Sequence, residues 1–268
     1  MDSHIAKYLE GHKDKLAELY SWDFDTKVPL EKFGILVKGD SWFEKTNNLK
    51  LALRKRIEEK NQEQKELERI ATYFIKEWGG IRRFSKPEEV VEMFGNITGT
   101  DVCPKDFKPT FKSISSWSKW ASLVCPKWAC IYDARVAYSI NAINYLSGGT
   151  HKIFPIPEGR NTRLNLLDVS TLILSAKINE TDKSDPKSIR KSYFVKDSAA
   201  YIEYLSLVRG VSQRLWNDHE HIHEVEMLLF ALADTAVYES VFERIKIVSY
   251  STLTANNGIQ ADAAEPRG

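Results

Sequence analysis

The sequence predicts an all-α or nearly all-α fold. Apolar residues recur at helical spacing in segment after segment, and the breaks between those segments hold glycine, proline and polar residues. No block of alternating apolar and polar residues reads as paired strands, and no repeat of fixed period is present. The chain has 268 residues, 43% hydrophobic and 28% charged, which suits a globular protein with a sizeable core, as one large domain or two small ones. Segment 3–20 carries Ile5, Leu9, Leu16 and Leu19 on one stripe, with Ser3 as a candidate cap. Residues 21–40, with Pro29, Gly34 and Gly39, read as loop with at most a short strand. A long amphipathic helix over 47–78 carries Leu49, Leu53, Ile57, Leu67, Ile70 and Phe74 and stops at Gly79-Gly80. Pro87, followed by Glu88 and Glu89, opens a helix that ends near Gly95. After a loop over 98–109, helices are predicted over 116–124, stopped before Pro126, and over 134–146, ended by Gly148-Gly149. Phe154-Pro155-Ile156-Pro157 must be extended, because residues before proline avoid the α region. Further helices are predicted over 164–178, from Asp197 or Ser198 to about Trp216, and over 221–248. A polar linker covers 179–186, and 251–268 reads as a frayed tail with almost no apolar residues.

Several function classes are excluded at this level. No apolar run approaches the ~18–20 residues of a membrane span. The start, Met1-Asp2-Ser3-His4, shows no basic stretch leading into an apolar one, so no secretory leader is expected. Cys103, Cys125 and Cys130 form no CxxC pair, which points to a reducing cytoplasm rather than a disulfide framework or zinc cage. There is no GxxxxGK[ST], GxGxxG, GxSxG or HExxH. His221 and His223, with His219 nearby, tempt a metal reading, but helical positions i and i+2 point about 200° apart and cannot share one ion. Only a loop there would allow it. No metal and no cofactor are expected.

Net charge is +1, but it is unevenly spread. Residues 45–69 hold eight Lys and Arg against five Glu, 101–140 six against three Asp, and 182–214 seven against four acids, each block net +3. Residues 217–245 invert this, with one Arg against seven acids. The basic blocks can converge on one polyanion-binding face, or they can be solvated helix faces.

Segment 115–137, SSWSKWASLVCPKWACIYDARVA, carries the candidate chemistry. Lys119 lies among Trp117, Trp120, Leu123 and Val124, surroundings in which desolvation disfavours the ammonium and leaves a nucleophilic amine. Asp133 lies between Tyr132 and a helix start at Ala134, where its carboxylate would accept backbone N–H bonds and be held in a fixed direction. A lysine that snorkels to water and a plain helix cap are the alternatives at these two positions.

This segment resembles the helix-hairpin-helix DNA glycosylase superfamily, in particular bacterial proteins similar to 8-oxoguanine DNA glycosylase. Ser118-Lys119 falls where the family's hairpin lysine belongs, and Ile131-Tyr132-Asp133-Ala134-Arg135-Val136 where its aspartate motif belongs. Trp78-Gly79-Gly80 matches a step upstream, and Glu226-Met227-Leu228-Leu229-Phe230 is similar to the helix that holds the flipped base. Two departures are visible: the hairpin stretch 113–118 has no glycine, and the Lys–Asp gap is shorter than in well-known members.

The resemblance implies a helical unit over 1–250 with a cleft between two subdomains, about 45–150 on one side and 1–44 with 151–250 on the other. It implies Lys119 and Asp133 as catalytic residues, Glu226, Phe230 and Trp117 around the base, and Ser116, Ser118, Lys112 and Arg135 on the DNA backbone. The implied activity is excision of a modified or damaged base from double-stranded DNA by a monomer, with strand scission open to the lysine. Glu226 in place of the family's glutamine can only accept, which favours a modified cytosine or a guanine derivative over uracil. A non-catalytic DNA-binding module of the same fold and a helical interaction protein are the rival readings.

Overall fold

The computed structural model describes residues 1–59, 63–108, 110–159, 161–177 and 185–245. Among them the chain is mostly helical, with no strand and one isolated parallel bridge, Ile153 to Phe194. In chain order come α1 (Asp2–Leu9), a 3₁₀ turn (Lys13–Lys15), α2 (Leu16–Leu19), α3 (Lys27–Phe33), α4 (Trp42–Glu59) and α5 (Gln64–Thr72), which runs into a π-helical stretch (Tyr73–Trp78). Next are α6 (Pro87–Phe94), α7 (Ile114–Val124), α8 (Ala134–Leu146), α9 (Thr162–Asn165), α10 (Val169–Lys177), α11 (Pro186–Tyr193), α12 (Asp197–Trp216), α13 (Ile222–Leu232) and α14 (236–245). None is long and apolar enough to cross a membrane.

Several predicted elements form as expected, and each has a local cause. Pro87 opens α6 with two acidic residues in its first turn. Asp133 caps α8, its Oδ1 accepting from Arg135 N and Val136 N at 3.0 and 3.1 Å. The segment over 154–157 is not helical, and its place is fixed by Asn141, which donates to Phe154 O and accepts from Phe154 N, both at 2.8 Å.

Other boundaries differ. The helix expected over 47–78 begins at Trp42, because Ser41 and Glu44 form a reciprocal capping box: Glu44 N donates to Ser41 Oγ, and Asp40 N to Glu44 Oε2. Gly39 makes the turn before it, at φ +134° with the Glu44 side chain packed where a Cβ would stand. The expected helix is also divided, since α4 ends at Glu59 and α5 begins at Gln64. Segment 3–20 is broken between α1 and α2, and Ser3 caps nothing; Asp2 instead accepts from Ser3 N. The loop over 21–40 contains α3, closed by Gly34. Asp168 interrupts 164–178 by accepting from Ser170 N and Thr171 N. Asp185 and Pro186 start a helix inside the supposed linker. The last stripe turns at 233–235 before α14. Most of the linker, residues 246–248 of that stripe and the expected tail lie outside the described residues.

The helices pack so that the first ones lie against the later ones. α1 lies on α12 and α8, and α2 on α13 and α4. α6 packs on α5, while α7 packs on α4, α6 and the π-helical stretch. α8 packs on α10 and α13. The connector over 125–133 therefore passes from the α4–α7 group to the group around α8. Trp117, Trp120 and Trp128, on α7 and the connector, are among the largest fully buried side chains.

The turn entering α7 holds Ser113 in the left-handed region, φ 57° and ψ 24°, with no side-chain cap bond. This turn thus reaches a glycine-like conformation without glycine. Ser113→Gly is expected to raise stability by roughly 0.5 kcal/mol, the relieved strain outweighing the added freedom of the unfolded chain. Chemical denaturation measures it, and a loss of stability would mean the serine side chain stabilises the turn.

Candidate active site

Residues 128–132 of the connector between α7 and α8 are buried, so their peptide groups need partners that a helix would otherwise supply. Side chains supply them. Tyr201 and Tyr204 on α12 donate to Cys130 O and Ile131 O at 3.0 and 2.8 Å. Glu226 on α13 accepts from Ile131 N at 2.9 Å, and Ser118 on α7 accepts from Tyr132 N at 3.0 Å. Tyr132 in turn donates its hydroxyl to Pro155 O at 2.7 Å. Helices α7, α12 and α13 thus converge on residues 130–132 and fix where Asp133 begins α8.

Lys119 lies in the middle of α7 and is 6% exposed. Its Nζ is 4.0 Å from Asp133 Oδ2 and donates to Ser115 O at 3.3 Å. Burial pushes its pKa below the ordinary lysine value; the charges of Asp133 and Glu226 oppose that shift without cancelling it. The two residues singled out from sequence spacing are therefore brought together, and the amine is biased toward its neutral form. Asp133 spends Oδ1 on the helix N-terminus and turns Oδ2 toward the amine.

A group of aromatic rings gathers around Phe230. Phe230 is half-buried and packs edge-on to Trp22 at 5.5 Å and against Tyr20 at 5.9 Å, with the Arg135 guanidinium over its ring at 4.7 Å. Trp22 donates its indole N–H to Trp78 O at 2.9 Å, which ties the N-terminal segment to the Trp-Gly-Gly step. A Cβ on Gly79 would stand 2.6 Å from Lys119 Cδ and 2.7 Å from Ile75 O, so this position needs glycine for the lysine stem to pass. The preceding π-helical stretch, where Gly79 N bonds to Phe74 O, sets that approach.

The remaining expected site residues are placed differently. Trp117 is 1% exposed, donates to Thr110 O, and packs on Phe94, Phe107 and Tyr201; it is core rather than pocket. Ser118 is fully buried and engaged by Tyr132, so its hydroxyl holds the connector and is not presented to a phosphate. Ser116 is likewise buried. Lys112 is exposed at the turn before α7. Arg135 pairs with Asp234 at 3.0 Å while it covers Phe230. Glu226, 4% exposed, faces inward: burial raises its pKa, but Lys50, His223 and the Ile131 N–H outweigh this and keep it below the usual carboxylate range. Its carboxylate is buried and turned to the connector, away from Phe230 and any open pocket, which removes the premise for preferring a cytosine or guanine base.

Sequence reasoning missed Trp22, the approach of Gly79 and the buried Lys50, whose Nζ lies 5.7 Å from the Trp78 ring centroid. Glycine pairs mark turns, and the tryptophan before this one was the available signal. A pocket of about 360 Å³ borders the start of α8, but its lining holds neither Lys119 nor Asp133 nor Phe230.

Gly79→Ala is expected to leave the chain folded yet displace the Lys119 ammonium. Misplacement by about 1 Å can cost on the order of 10²-fold in rate. Any activity of Lys119 should fall accordingly, with duplex binding retained in a salt-dependent titration. Unchanged turnover would show that the lysine stem repacks freely.

Comparison with known proteins returns no matching family model, no matching curated protein and no matching solved structure.

Proposed function

We propose that the protein is a DNA glycosylase that takes a modified or damaged base out of the duplex and cleaves its glycosidic bond. The observation that carries this reading is a buried lysine with a depressed pKa, 4.0 Å from a carboxylate fixed by a helix N-terminus. A base must leave the stack for its glycosidic bond to be reached. Lys119 Nζ attacks C1′ as the C1′–N bond breaks and the base departs with the bonding electrons. Asp133 stabilises the positive charge developing on the sugar and receives the amine's proton. Ring opening then gives an imine between Nζ and C1′, from which elimination of the 3′ phosphate is open. Phe230, with Trp22 beside it, supplies the aromatic face for the extruded base once the Arg135 guanidinium moves off the ring. The chain acts as a monomer on double-stranded DNA and needs no cofactor; base-excision repair and defence against phage with modified DNA are the settings that use such chemistry.

A second reading has one observation in its favour. Ser116 and Ser118 are buried and Arg135 is paired, so the hairpin offers few free phosphate contacts. A helical interaction protein is consistent with that, and a module that binds DNA without cleaving it would have to draw its phosphate contacts from other basic residues. The deciding experiment is an abasic-site and borohydride-trapping assay on duplexes containing uracil, 8-oxoguanine and 5-substituted cytosines. Abasic product or a trapped adduct supports the glycosylase. Salt-dependent binding without product supports the module, and absence of both supports the interaction protein.

A further inference from the structure

Among the described residues, one cluster of ligating atoms lies outside the Lys119–Asp133 pair. Cys130 Sγ, a nitrogen of His223 and a carboxylate oxygen of Glu226 all fall within 4.8 Å of one another. His223 and Glu226 sit three residues apart on α13 and face the same way, with Nδ1 3.8 Å from Oε2. Cys130 comes from the connector and is fully buried, its Sγ 3.6 Å from Ile222 O. Histidines two apart on a helix, as in the His219, His221 and His223 run, cannot share an ion. That argument does not touch His223 paired with Glu226.

The imidazole is already oriented for such a role. His223 Nε2 lies 2.9 Å from Pro126 O, which can only accept, so Nε2 carries a hydrogen. The other nitrogen, Nδ1, is buried and has no hydrogen-bond partner. A ring nitrogen anchored on a carbonyl with its opposite nitrogen aimed into a polar cluster is the usual second-sphere arrangement of a metal-binding histidine. Glu226 is similarly steadied by Ile131 N.

We infer that Cys130, His223 and Glu226 form a binding site for one divalent transition-metal ion of zinc type. A thiolate, an imidazole and a carboxylate are the mixed donors that suit Zn²⁺, and calcium or magnesium would take oxygen donors alone. Lys50 on α4 is the cation that acts on both Glu226 and Cys130. As the dication enters, the Cys130 thiol releases its proton to solvent. Zn²⁺, thiolate, carboxylate and neutral imidazole then balance in charge. The ion joins α13 to the connector three residues before Asp133, so it acts as a pin for that connector and not as part of the base-release chemistry.

The test uses the full chain and metal ions alone. Co²⁺ added to the metal-free protein is expected to give a thiolate-to-metal charge-transfer band that saturates at one equivalent and is displaced by Zn²⁺. X-ray absorption of the zinc-loaded wild type is expected to show one sulfur among nitrogen and oxygen neighbours. His223→Gln should weaken Zn²⁺ binding by roughly ten-fold or more. Cys130→Ser should remove the charge-transfer band, whereas Cys103→Ser and Cys125→Ser should keep it. A wild-type zinc shell without sulfur, or a band that survives in folded Cys130→Ser, overturns the assignment. The absorption measurement needs no variant and reads the site directly, independently of whether the protein releases any base.

Discussion

Lys119→Gln is expected to abolish borohydride trapping on any duplex the wild type processes, while duplex binding stays within a few-fold. Glutamine keeps most of the length and fills the space beside Gly79, but it has no nucleophilic amine. The wild type should show a characteristic pH dependence. Burial lowers the pKa of Lys119 from the ordinary lysine value of 10.5, so trapping should rise with pH and level off below that value. The same shift fixes the sign of a stability effect. Between the lowered folded value and 10.5 the unfolded chain binds more protons than the native one, so wild-type stability rises with pH through that window. At lower pH the folded protein carries a buried ammonium at a cost that Lys119→Gln removes. Denaturation across pH should therefore show the variant gaining on the wild type as pH falls. Undiminished trapping in Lys119→Gln would end the nucleophile assignment.

The second large effect is expected from Asp133→Asn. Loss of one preorganised charge-stabilising group typically lowers the rate by about 10²–10³-fold. Asparagine remains a competent N-cap, so α8 and the melting temperature should be nearly preserved. A separate readout distinguishes a chemical role from a structural one. The Asp133 charge holds the Lys119 pKa up against burial, so its removal should move the pH profile of trapping to lower pH. Normal activity with an unmoved profile would leave Asp133 as a cap and nothing more.

How far these residues could be read from sequence differs one by one. Asp133 was legible in both position and geometry, because capping depends on the next three residues alone. The nearness of Lys119 and Asp133 was expected only through resemblance; it is realised because Ser118, one residue before the lysine, bonds to Tyr132, one residue before the aspartate. Glu226 was legible as a helical residue near Phe230 but not in its direction. Its side chain points to a peptide N–H 95 positions away in the chain, and no local period encodes that choice. Trp117 failed as a pocket residue for a related reason: on an almost wholly buried helix, periodicity does not tell which face meets a cavity and which meets the core.

By itself, then, the sequence determined a largely helical chain, the proline and aspartate starts of α6 and α8, and the apolar faces that pack. These are short-range properties, set by propensity, capping and period within one or two turns. Only the tertiary structure decided that residues 128–132 of the connector are buried. From that burial follow the recruitment of Tyr201, Tyr204, Ser118 and Glu226 to satisfy its peptide groups, and the enclosure of Lys119 behind Gly79. The physical reason is that a buried polar group must find a partner, and which partner it finds depends on how helices distant in sequence come to lie against one another.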